Sequence, residues 1–182
     1  MVDLTTLQTL GYIFGYFSVG IGALSFVINL FTTNRNRKIT MATNLQQILI
    51  STQMSQLNGE LWAMQWSDIE DFKKKYDSSV NPDNYAKRFQ MWSTYDLVGY
   101  LLKRGLVDLE TIYAVNHFII VGHWVKFRQI IEYYRRESAG KDYLMYWEYA
   151  AKLLAKYKEE RDPTWWQTTS NFTREEYEKT FR

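Results

Sequence analysis

His117 and His123 are the two histidines of this chain, and it has no cysteine. Six positions apart on a helix, two imidazoles point roughly 120° away from each other, so they cannot share a metal ion. No Glu-x-x-His pair exists to build a di-iron site in a helical bundle. Without cysteine there is no disulfide scaffold, thiolate zinc site, iron–sulfur cluster or Cys nucleophile. The glycines form neither a phosphate-cradling loop nor a Walker motif. The segment "GYFSVG" (15–20) has the wrong spacing for a nucleophile elbow. Asp68, Glu70 and Asp71 lie just before Lys73, Lys74 and Lys75, the pattern of a solvated helix surface. These residues predict no catalytic site, no cofactor and no metal, and a structural place for both histidines.

Two further groups suit binding rather than catalysis. Arg135 and Arg136 follow Tyr133 and Tyr134. They complement the negative end of a helix and offer a docking edge for an acidic partner or lipid headgroups. Trp165 and Trp166 stand side by side after Pro163. Adjacent indoles cannot easily share one buried face, and tryptophan is enriched in interface hot spots and at membrane interfaces. A net charge of +2 is too mild to point to nucleic acid.

The element that dominates the chain lies at its start. From Leu4 to Asn34 there is no Asp, Glu, Lys, Arg or His. As a helix, Leu10 to Phe31 is about 33 Å long, matching a hydrocarbon core of about 30 Å. A cleaved signal peptide would carry a basic region ahead of a shorter apolar run, whereas here the preceding residues hold Asp3 and no Lys or Arg. Arg35, Arg37 and Lys38 follow the run directly, so the positive-inside rule places the N-terminus outside and the rest in the cytoplasm. Within the run, Gly11, Gly15, Ser18, Gly22, Ser25 and Asn29 recur in steps of four and three. That spacing holds them on one helix face. Small residues let two helices approach closely in lipid, and Ser and Asn hydrogen-bond across the contact.

Beyond the basic cluster the chain reads as helix after helix. Met41 to about Tyr76 is one long pattern with a break expected near Asn58-Gly59 or Ser67. Its Ile50, Met54, Leu57, Leu61 and Met64 face a bundle core. "DSSVNPDN" (77–84) breaks the chain; Asn81 caps and Pro82 opens a helix that stops before Gly105. Tyr85, Phe89 and Trp92 begin the apolar face of that helix. Asp108 caps the next, about Leu109 to Glu137, whose nearly all-apolar middle marks it as the central buried helix. "SAGKD" (138–142) precedes a helix from Tyr143 to about Arg161. Thr173 and Glu176 have the spacing of a capping box for a last short helix. The expected fold is all-α, with one N-terminal transmembrane helix followed by a cytoplasmic bundle of four to five helices. Its parts are an external stub (1–9), the span (10–31), a basic juxtamembrane linker (32–40), the bundle (41–161) and a tail with a short helix (162–182).

The order of features is familiar. An uncharged span is followed by "NRNRK", then by "VGYLLKRGLVD" (98–108), "HFIIVGHW" (117–124) and "YLMYWEYAAKLL" (143–154). To about Leu154 the chain resembles an uncharacterised prokaryotic family of small membrane-anchored helical proteins. That resemblance implies a membrane location and a helical domain, and no activity. The expected function is that of a structural or interaction protein of the cell membrane, an accessory or scaffold subunit. Its expected partners are membrane lipid and a transmembrane helix of itself or of another subunit. The rival readings are a homo-oligomer whose spans line a pathway and a membrane-tethered enzyme.

Overall fold

The computed structural model describes residues 4–168 and 173–181, with the backbone alone for 4–20, 22, 23, 166 and 168. Every regular element among the described residues is a helix. They are α1 (Leu4–Leu49), α2 (Thr52–Ala63), α3 (Ile69–Tyr76), α4 (Pro82–Lys103), α5 (Leu109–Glu137), α6 (Met145–Arg161), α7 (Trp165–Thr168) and α8 (Arg174–Phe181). The chain divides into two units, Met1–Thr40 and Met41–Arg182.

In the first unit the apolar side chains of α1 are uncovered: Leu24 and Phe26 are each 63% exposed and Phe31 is 73% exposed. Ser25, Asn29, Arg35, Arg37 and Lys38 are exposed as well. The side chains at Gly11, Gly15, Ser18 and Gly22 of the small-residue stripe lie outside the described residues. Among the described residues no helix is long and apolar enough to cross a membrane.

The second unit is built around α5, which buries ten residues including Ile120, Val121, Trp124, Phe127, Ile130 and Ile131. α6 packs against both α4 and α5. Met54, Leu57, Leu61 and Met64 enter this core, as their spacing predicts, whereas Ile50 is exposed. The Met41–Tyr76 pattern breaks at Ser67, one of the two expected places, between α2 and α3, and also at Ile50–Ser51; Asn58-Gly59 lies inside α2. The Ser51 hydroxyl accepts from Met54 N and caps α2. At the break before α3, Asp68 accepts from Asp71 N.

The expected caps elsewhere are in place. Asn81 accepts from Asn84 N, and Asp108 accepts from Thr111 N. Thr173 and Glu176 close a reciprocal capping box at α8. Gly105 takes φ +63 just past α4, the left-handed conformation glycine adopts freely. α6 begins two residues later than expected, because Leu144 itself is left-handed at φ 55 and supplies no cap. Asp96 on α4 replaces that cap: its Oδ1 accepts from Tyr146 N and Trp147 N, both at 2.9 Å. Inside α5, Asn116 leaves helical geometry at φ −155 and ψ 20, a kink its sequence does not announce. Tyr85 and Phe89, expected on the buried face of α4, are 44% and 56% exposed.

Candidate docking cleft

A cleft of about 880 Å³ opens in the second unit between the α2–α3 connection, α5 and α8. One wall is aromatic. Trp66 stacks on Phe127 with ring centres 5.3 Å apart and meets Phe72 edge-on at 5.2 Å. Trp62 meets His123 edge-on at 4.9 Å. Gly122 makes room for that indole, since a Cβ there would lie 2.9 Å from Trp62 Cη2. Lys126 of α5 fixes the same wall. Its Nζ donates to the carbonyl oxygens of Trp62 at 2.7 Å and Met64 at 2.8 Å. Those are orphan acceptors at the C-terminal end of α2. The ammonium also lies over the Trp66 and Trp62 rings, 5.1 and 5.6 Å from their centres. Burial holds its pKa below the ordinary lysine range.

The rest of the lining carries charge. Arg128 is spent internally: Nε pairs with Glu132 at 2.6 Å, and Nη1 donates to the Lys179 carbonyl oxygen at the end of α8. Glu176 is spent on the α8 cap. Arg136 and Lys179 are exposed cleft residues, and neither has a carboxylate within 4.0 Å among the described residues. The cleft therefore joins a fixed indole wall to two uncompensated cations. Such a surface suits an acidic segment carrying an apolar or aromatic anchor: charge steers the encounter, and the tryptophans supply the buried area. Its volume is in the range of about 300–1,000 Å³ typical of ligand clefts.

Comparison of the chain with known protein families, with curated proteins and with solved structures finds no match.

The residues singled out by sequence divide sharply. Arg136 lines the cleft. Arg135, its neighbour, is bound into the bundle: Nε donates to the Tyr143 carbonyl oxygen at 2.8 Å, Nη1 pairs with Glu148 at 2.7 Å, and the guanidinium lies over the Trp124 ring. Its remaining nitrogen, Nη2, is buried with no hydrogen-bond partner among the described residues, so it presents no edge to an outside partner. Burial pushes the Glu148 carboxyl up, but hydrogen bonds from Lys152 and Arg135 outweigh it and leave its pKa below the usual value. Trp165 is buried, its ring edge-on to Tyr177 at 5.5 Å, so it serves packing between α7 and α8. The side chain of Trp166 lies outside the described residues. His117 stacks on Tyr113 at 4.1 Å, and burial lowers its pKa. His123 is 1% exposed in the core. The described residues contain no group of three or more metal-ligating side chains.

Sequence reading missed Lys126 and Trp66. Lys126 sits between Val125 and Phe127 in the middle of an apolar helix, and a lysine so placed must find acceptors or reach water. That is the signal that marks it.

Proposed function

We propose that this chain is a membrane-anchored interaction protein, an accessory or scaffold subunit of a membrane complex. One observation carries the reading. Along α1, Ile21, Leu24, Phe26, Val27, Ile28, Leu30 and Phe31 are all between 45% and 73% exposed. They cover well over half of the helix circumference, far wider than the core-facing stripe of a surface helix, and leave Ser25 and Asn29 on the remaining face; an exposed apolar surface that wide is one made to be buried. The occupant we assign is lipid, with residues 10–31 as the span, the N-terminus outside and the helical unit in the cytoplasm. Arg35, Arg37 and Lys38 then lie at the inner headgroups. Exposed Ser25 and Asn29 in lipid need a hydrogen-bonding partner, which a second helix on the small-residue face provides. The cleft at Arg136 and Lys179 takes an acidic segment of the partner.

The test is the native mass of the full chain after gentle detergent extraction from its own membrane. Three forms are compared: the parent, Gly15→Ile with Gly22→Ile, and Arg136→Glu with Lys179→Glu. We expect a complex with other subunits that the double isoleucine form loses. The double reversal, at exposed positions, should weaken the complex while changing fold stability by no more than about 0.5 kcal/mol. A homo-oligomer lost in the isoleucine form would replace the accessory subunit with self-assembly. A monomer in all three forms would overturn the proposal.

A further inference from the structure

A second cavity, of about 350 Å³, is lined by α4, the α3–α4 turn, the end of α5 and the segment before α6. Its walls include Tyr85, Phe89, Trp92, Tyr134 and Tyr143, and the charged groups lining it are Arg88 and Asp77. Arg88 is 1% exposed. A guanidinium carries five N–H donors in one plane. Nε donates to Asn84 Oδ1 at 2.9 Å, and Nη2 donates to the Tyr76 carbonyl oxygen at the end of α3. Two of the five donors are thus satisfied, and no carboxylate lies within ion-pair distance among the described residues.

The aromatic rings around Arg88 ease its burial without completing it. Its Cζ lies 4.8, 5.3 and 5.7 Å from the ring centres of Phe72, Trp92 and Tyr85. Cation–π attraction acts on the face of the guanidinium, whereas the free N–H groups point along its edge. Asp77, the carboxylate in the same wall, is turned to its own loop, where Oδ1 accepts from Ser79 N at 3.2 Å and from the Ser78 and Ser79 hydroxyls. A buried cation with unmet in-plane donors beside an open cavity is a site built for an anion.

We propose that this cavity binds a small aromatic carboxylate, its carboxylate on the free edge of Arg88 and its ring among Tyr85, Phe89 and Tyr134. A planar carboxylate matches the guanidinium fork. Arg88 alone balances a monoanion, and Asp77 in the same wall adds a repulsion that falls harder on a dianion, which disfavours phosphate esters. The volume, near the lower end of the ligand range, fits a compact ring system and not a nucleotide. The proposal is independent of the membrane reading.

Calorimetric titration of the full chain in detergent tests it with three probes of one shape: phenylacetate, phenylacetamide and phenyl phosphate. Phenylacetate should bind, and phenylacetamide should bind at least about tenfold more weakly, because it leaves the cation unpaired. Phenyl phosphate should also bind more weakly than phenylacetate. Arg88→Gln should abolish the preference for the acid. Since Arg88 also holds the end of α3, a second form keeps it intact: Ala139→Trp, at an exposed cavity-wall position, fills the mouth and should remove binding without unfolding the bundle. Equal affinity for acid and amide, tighter binding of phenyl phosphate, no binding at about 10 mM probe, or unchanged binding in Ala139→Trp would each overturn the assignment.

Discussion

Gly99→Ala should destabilise the helical unit by about 3 kcal/mol or more, because it forces an overpacked contact between two backbones. A Cβ at Gly99 would overlap the carbonyl oxygen and carbon of Tyr146. Backbone cannot turn aside as a flexible side chain does, so α4 and α6 must separate. Their separation would pull Tyr146 N and Trp147 N from Asp96, one turn before Gly99. It would also loosen Trp147 from Tyr95 and Trp92, 5.3 and 6.2 Å away between ring centres. The better helix propensity of alanine returns about 1 kcal/mol, which leaves the balance unfavourable against a typical total stability of about 5–15 kcal/mol. Gly59 is the control. It lies within α2, and a methyl group added there would meet nothing inside 4 Å, so Gly59→Ala should stabilise by roughly 0.5–1 kcal/mol. Denaturant unfolding followed by circular dichroism measures both, and a Gly99→Ala form within about 0.5 kcal/mol of the parent would contradict the α4–α6 contact.

The second large effect is on pH. His123 is 1% exposed, ringed by Trp62, Tyr95 and Phe127. Neither ring nitrogen has a hydrogen-bond partner among the described residues. Burial first, and then the Lys126 charge, push its pKa down to about 3; the backbone of Ile119 and Asn58 opposes this only weakly, outside hydrogen-bonding geometry. The folded state therefore holds this imidazole neutral, while the unfolded chain protonates it near its ordinary value of about 6.5. Its contribution to stability is complete above that value and is lost as pH falls from about 6.5 towards 3. The expected slope is about 1.4 kcal/mol per pH unit once the unfolded state is protonated. His117, also lowered by burial, adds in the same direction. Asp71, Asp77 and Asp108 are held below the usual carboxylate range by hydrogen bonds from Lys75, Ser79 and Thr111. They add their own losses at lower pH, so the window that isolates histidine is about pH 6.5 to 5. His123→Phe keeps a ring in the cage and should flatten the slope there. Equal slopes in the two forms would show that His123 is reachable by protons in the folded state.

What sequence makes legible here is what a few adjacent residues decide. The caps at Asn81, Asp108 and Thr173 and the left-handed turn at Gly105 depend on one or two side chains beside the backbone they serve. The central place of α5 follows from its apolar middle. The remainder depends on partners far along the chain. Asp96 caps a helix that starts some fifty residues later, Arg135 finds Glu148, and Lys126 finds carbonyls more than sixty residues earlier. No local pattern announces such pairings. The burial of Arg88 is hidden for the same reason. On α4 it reads as a surface charge, although Tyr85 and Trp92 at helical spacing around it hint at the aromatic wall. The placement of Tyr85 and Phe89 on a buried face failed because they form the rim of a cavity rather than its filling. The kink at Asn116 lies amid good helix-compatible neighbours and has no sequence signal that we can name.

An alkaline carbonate wash of membranes containing the full chain tests most directly whether residues 10–31 hold it in a bilayer, since the wash strips peripheral proteins and leaves helices that span. The parent chain should stay in the pellet. It should move to the supernatant when Leu24 and Ile28 are both replaced by aspartate, two charges that cost about 2.5–3.5 kcal/mol each at the centre of a span. Release of the parent chain by the wash would contradict the anchor and leave the exposed apolar face of α1 to a protein partner.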